Sequence, residues 1–109
     1  MSRYAIYGKY TPEALAAVRQ AGYRSRETQM KTLTESLGGR IEAAYFMPSA
    51  QWDFMAVAEI PDPAGLFAML SMAGATGSFD RAAVIELYTA SEADAAIGAH
   101  LSWKAPGEA

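Results

Sequence analysis

Trp52-Asp53, which follows the turn Pro48-Ser49-Ala50-Gln51, is the pair in this chain best suited to chemistry. An indole can stack on a flat ligand while the neighbouring carboxylate accepts a hydrogen bond or a proton. The same residues have a structural use: the aspartate caps the turn or pairs with a base, and the tryptophan plugs the end of a sheet. Five tyrosines, Tyr4, Tyr7, Tyr10, Tyr45 and Tyr88, fall in strand-like segments. They can line an aromatic pocket between a sheet and its helices, or pack in a core and an interface with each hydroxyl reaching water. Trp52, Asp53, Tyr7 and Tyr45 are the ligand-binding candidates. Asp53 is the base if the protein is an enzyme.

Other groups carry less. Glu42, Glu59 and Glu86 fall near one sheet face, where a carboxylate either acts as a base or pairs with Arg3 or Lys9. His100 is the only histidine, and one imidazole alone makes a poor metal site. There is no cysteine, so disulfides and thiolate chemistry are excluded. Gly74-Ala75-Thr76-Gly77-Ser78 has the composition of a phosphate loop but precedes a strand and lacks the lysine. Met69 and Met72, with Leu66 and Leu70, make either an adaptable binding surface or plain core. Residues 1–40 carry a charge of +4 and residues 41–109 carry −7. The first helix therefore presents either a basic patch for an anion or a solvated face. A net charge of −3 gives no support for a nucleic-acid or anionic-membrane partner.

The elements that must position these residues follow from periodicity. Residues 4–10, 40–47, 52–60 and 82–89 alternate as strands, yet each is apolar on both sets. Thr11-Pro12-Glu13 and Asp62-Pro63 are cap-then-proline helix starts. The first helix loosens near Ala21-Gly22, resumes through Leu37, and stops at Gly38-Gly39. A second helix follows Pro63, and Ser91-Glu92-Ala93-Asp94 caps a short third one ending near His100. The order βαββαβ is that of a ferredoxin-like α+β domain, a four-stranded antiparallel sheet in the order 4-1-3-2 with helices on one face. The 109 residues make one domain, with a core over about residues 3–97 and a C-terminal tail over 98–109.

That arrangement leaves one sheet face bare. Alternation assigns it Ala5, Tyr7, Ala44, Phe46, Met55, Val57, Val84 and Tyr88. Such a patch exceeds what a monomer usually exposes. Burying roughly 60 Å² on each side chain is worth on the order of 10 kcal/mol before association entropy. Two sheets stacked face to face across a two-fold axis would supply the cover.

Tyr7-Gly8-Lys9-Tyr10-Thr11-Pro12-Glu13-Ala14-Leu15, Leu37-Gly38-Gly39-Arg40-Ile41 and Gln51-Trp52-Asp53-Phe54 together resemble the GYD domain family of small bacterial and archaeal proteins. The family's Gly-Tyr-Asp signature before the third strand stands here as Gln51-Trp52-Asp53, with only the aspartate literal. The resemblance spans about residues 3–97 and implies a dimeric α/β barrel of the ferredoxin-like class. It implies no substrate, cofactor or catalytic residue. Families of the same barrel class include cofactor-free monooxygenases, lactone isomerases, haem-degrading enzymes and ligand sensors, and fold alone does not choose among them.

The expectation is a small-molecule-binding or assembly protein acting as a homo-oligomer. It would form a homodimer through the open sheet face, with further stacking through the second helix. The ligand would be small and hydrophobic or aromatic; no cofactor, metal, nucleic acid or membrane is expected. The alternative is a cofactor-independent monooxygenase- or isomerase-like enzyme on a hydrophobic aromatic substrate, with Asp53 as base. A third use is purely structural, as a subunit of a larger ring. The start Met1-Ser2-Arg3-Tyr4 lacks the apolar run of a secretory signal, so the expected location is cytoplasmic.

Overall fold

A computed structural model describes residues 2–108. The elements run β1 (Ser2–Tyr10), α1 (Pro12–Ala21), α2 (Tyr23–Ser36), β2 (Arg40–Phe46), β3 (Phe54–Ile60), α3 (Pro63–Ala75), β4 (Phe79–Leu87) and α4 (Ala90–Ile97). The four strands form one sheet in the order β2-β3-β1-β4, every neighbour antiparallel. This is the ferredoxin-like α+β fold expected from the element order.

Local chemistry sets the helix limits. The Thr11 hydroxyl accepts from the Ala14 N–H at 3.2 Å, and Pro12 occupies the first helical position, where its missing N–H costs nothing. Asp62 does the same for α3, accepting from the Ala64 N–H at 2.9 Å ahead of Pro63. Gly22, at φ 99°, breaks α1 from α2. For α4 the cap is Thr89, one of a reciprocal pair with Glu92, and not Ser91 as the sequence suggested.

The covered face of the sheet holds two side-chain clusters. Tyr4, Ala58, Ile60 and Met69 form one, with Leu33, Leu37 and Val84 packed on it. Tyr10, Val18 and Phe54 form the other, with Leu15, Met30, Phe46 and Phe79. Ile6 touches both. The Phe54 ring lies over Gly8, where any Cβ would overlap it. Helices α1 and α2 pack on each other and over β1 and β2, while α3 lies over β3.

The open face differs from the sequence expectation at four residues. The β2–β3 register shifts between Ile41 and Ala43, with Glu42 as the extra residue. A bulge inverts alternation beyond it. Ala43 and Tyr45, paired with Val57 and Met55, therefore take the open face, and Ala44 and Phe46 turn to the helices. On β4, Val84 pairs with the covered Ile6 and joins the core, while Ile85 pairs with Ala5 on the open side. Tyr88 lies past the end of β4, its hydroxyl donating to Glu86 at 2.7 Å. The open face keeps its apolar middle in Tyr7, Met55, Val57, Tyr45 and Ile85.

One end of that face is ionic. Arg3 donates to Glu42 at 3.0 Å and to Glu59 at 2.9 Å, and Arg40 donates to Glu59 at 3.2 Å. Glu42 and Glu59 are thus paired as the second of their two readings anticipated, whereas Glu86 faces the helix side. The C-terminal segment stands off the body. The radius of gyration is 17.1 Å, against about 13 Å for a compact chain of this length. Ile97, Leu101 and Trp103 there are large, apolar and exposed.

Candidate functional site

The four sequence-derived candidates do not share one pocket. Trp52 and Tyr7 meet at the end of the open face opposite the ionic row, with ring centroids 5.5 Å apart. The Arg81 guanidinium lies 5.5 Å from the Trp52 ring centroid and donates to the Gln51 carbonyl at 2.9 Å. Tyr45 is in the same cross-strand row as Tyr7 but two strands over, with Met55 between them. Adjacent strands are about 4.8 Å apart, so the two tyrosine backbones lie about 10 Å from each other.

Asp53 is buried, at 7% exposure, and both of its oxygens are engaged. One accepts from the Tyr10 backbone N–H at 2.8 Å and the other from the Lys9 ammonium at 3.2 Å. Lys9 also donates to the Ser49 carbonyl at 3.2 Å. The Asp53 backbone N–H donates to the Gly8 carbonyl, and its carbonyl accepts from Met47. This aspartate therefore ties the 47–53 connection to the end of β1. It also borders a recess of about 520 Å³ beside Leu15, Arg19 and Tyr23.

The larger cavity lies on the covered face, between the α1–α2 pair and α3. Its volume is about 590 Å³, within the range of about 300–1,000 Å³ typical of small-molecule pockets. Ile6, Phe54 and Ala56 form the floor, Met30 and Leu33 one wall, and Met69 and Met72 the other. Ala56, the small residue of the floor, lies between lining residues of α2 and α3.

Tyr10 lies deep in this lining, as does Thr34, whose hydroxyl donates to the Met30 carbonyl. Tyr10 is 4% exposed, with its ring 5.2 Å from Phe79 and 5.5 Å from Phe54. Among the described residues its hydroxyl has no hydrogen-bond partner, and no buried side-chain oxygen there is left unsatisfied, so the hydroxyl is open to the cavity. Burial pushes the phenol pKa up to about 12; the Arg26 charge acts in the opposite sense and Asp53 adds to the rise. Ser25, Arg26 and Gln29 line the same end from α2, and Arg26 makes no ion pair among the described residues. Of the five strand tyrosines read as a pocket lining, only Tyr10 reaches this cavity. Its membership of the Tyr4–Ile6–Gly8 set was visible in the alternation; the nearness of Arg26 was not. Among the described residues no three His, Cys, Asp or Glu side chains gather as a metal site requires.

The GYD domain family model matches residues 4–97. The chain belongs to the GYD domain family. No curated protein matches the chain. In this GYD domain Asp53 accepts two hydrogen bonds at a buried position, which gives it a structural role. The exposed Leu101 and Trp103, and His100, fall beyond the matched residues. Among the described residues no helix is long and apolar enough to cross a membrane.

Proposed function

We propose that this GYD domain is a small-molecule-binding protein that works as a homo-oligomer, taking a hydrophobic or aromatic ligand into the cavity between sheet and helices. The observation that carries this reading is the cavity itself. It has the volume of a ligand site, a mostly apolar floor and walls, and a few polar groups among them. Assembly is argued from the other face. Tyr45 and Ile85 are 66% and 53% exposed there, in a continuous apolar field flanked by paired charges. A second copy stacked on this face would form a barrel with helices outside. The exposed Phe67 and Met72 of α3 offer a further contact.

The enzyme alternative needs a free carboxylate. Asp53 has both oxygens occupied by Lys9 and the Tyr10 N–H, which favours binding over Asp53-based catalysis. Calorimetric titration with 2-naphthamide and decanamide tests the pocket. Saturable binding that is lost in Ala73→Phe, a rim substitution, supports the proposal; no uptake of either compound overturns it. Light scattering tests assembly. Val57→Arg should convert a dimer into a folded monomer, and an undisturbed dimer would refute the sheet-to-sheet contact.

A further inference from the structure

The cavity has two unlike ends, and they lie along one helix. On α2, Ser25, Arg26 and Gln29 line one part, and Met30, Leu33 and Thr34 follow on the same side, the Thr34 hydroxyl being taken up by the Met30 carbonyl at 2.8 Å. At 1.5 Å per residue, Ser25 and Leu33 are about 12 Å apart. The Tyr10 hydroxyl opens beside the polar end, while Met69 of α3 faces the apolar one.

Three features make the polar end attractive to an anion. The first turn of α2 has no side-chain cap and no acidic residue, and its N-cap, Gly22, borders the cavity. Unpaired N–H groups and the helix dipole both favour negative charge there. Arg26 contributes a full charge with no carboxylate partner among the described residues. Tyr10, whose ring is buried, contributes an O–H donor that is open to the cavity and that no described residue uses. A hydroxyl left open to the cavity can donate to a ligand oxygen in place of water. Asp53 is the nearby opposing charge, and the Lys9 ammonium neutralises it.

We infer that the cavity takes an amphiphile with a single anionic head, a carboxylate on a flat or aliphatic body. The head sits against Arg26, the Tyr10 hydroxyl and the first turn of α2, and the body lies between Met30, Leu33 and Met69. This rests on the cavity being a binding site, and it adds the chemical class of the ligand.

The test compares 2-naphthoate with its neutral analogue 2-naphthamide on the intact chain by calorimetry. The carboxylate should bind at least tenfold tighter, and its affinity should fall as salt is raised. Arg26→Gln should remove that tenfold preference and leave 2-naphthamide within about twofold, and Arg26→Lys should keep most of it. Tyr10→Phe should weaken 2-naphthoate about fivefold, the loss of one hydrogen bond. Circular dichroism on each variant confirms the fold, and Arg26→Lys keeps the test decisive if Arg26→Gln unfolds. Equal affinities for acid and amide overturn the anionic head and leave the cavity reading standing. A preference for the acid that survives Arg26→Gln overturns the assignment to this end. Binding of neither compound overturns both.

Discussion

The two faces of one sheet are built from the same strands and meet opposite fates. Along β3, Phe54, Ala56, Ala58 and Ile60 are buried, and the intervening Met55, Val57 and Glu59 are half-exposed. Parity alone separates them. The covered face has small residues at its centre, so its helices meet it at two clusters and leave a cavity between. The open face has larger side chains at its centre, Tyr7, Met55, Val57, Tyr45 and Ile85, and leaves Tyr45 and Ile85 exposed. On the function proposed above, a half-covered sheet divides its work: one side would hold the room for a ligand, and the other would offer area for a second subunit.

The ionic row sharpens the contrast. Pairs as exposed as Arg3–Glu42 contribute only about 0–1 kcal/mol each. Under a partner sheet the same charges would enter already hydrogen-bonded to one another, which lowers the cost of burying them. The Glu42 hydrogen bonds and charge already raise the Arg3 pKa above its ordinary value.

The largest expected effect comes from deleting matched side chains on the two faces. Ile60→Ala should lower unfolding stability by about 2–5 kcal/mol in urea titration, because it opens a void in a closed core. Ile85→Ala should cost under about 1 kcal/mol in dilute protein, and its cost should grow with protein concentration if the open face is shared. Equal losses for the two variants in the monomer would erase the distinction between the faces.

A middle-sized effect belongs to Asp53. Asp53→Ala leaves the buried Tyr10 N–H without an acceptor and should cost about 1–3 kcal/mol. Asp53→Asn keeps an acceptor for the Tyr10 N–H but leaves the largely buried Lys9 ammonium without its charge partner, and should cost about 1–3 kcal/mol. Cavity binding by Asp53→Asn should match wild type. Abolished binding with unchanged stability would instead move Asp53 into the ligand site.

The smallest effect is a titration. Folding raises the Tyr10 phenol from 10.0 to about 12, so the native state holds this proton more tightly than the unfolded chain. Its stabilising contribution is complete below pH 10 and disappears as pH rises through 12. The ultraviolet difference titration between wild type and Tyr10→Phe should show a late-ionising tyrosine. An ordinary midpoint near 10 would mean that the phenol is wetted and the cavity end is open to bulk water.

Much of the fold was legible because its signals are local. Thr11-Pro12 and Asp62-Pro63 mark helix starts through one side-chain oxygen and one absent N–H, and both helices begin there. The glycine pair Gly38-Gly39 and strand alternation bound the rest. Two strand faces were misread for different reasons. The Glu42 bulge adds one residue that alternation has no means of showing, so Ala44 and Phe46 exchanged faces with Ala43 and Tyr45. On β4 both Val84 and Ile85 are apolar, and only the pairing with Ile6 and Ala5 tells them apart.

For the candidate site the division is wider. Trp52 and Tyr7 were singled out by type and do touch, and Asp53 was singled out with a structural alternative that its hydrogen bonds now describe. Arg26 was visible only as one of several bases on a helix. From its own residues this chain determined its elements, their order and the apolar excess on both sides of its strands, since caps, glycines and alternation act over a few residues. The tertiary structure alone decided which parity is covered, where the bulge inverts it, and that Tyr10 and Arg26 share a cavity. Those depend on the distance between α2 and α3, set by packing among residues far apart in the chain.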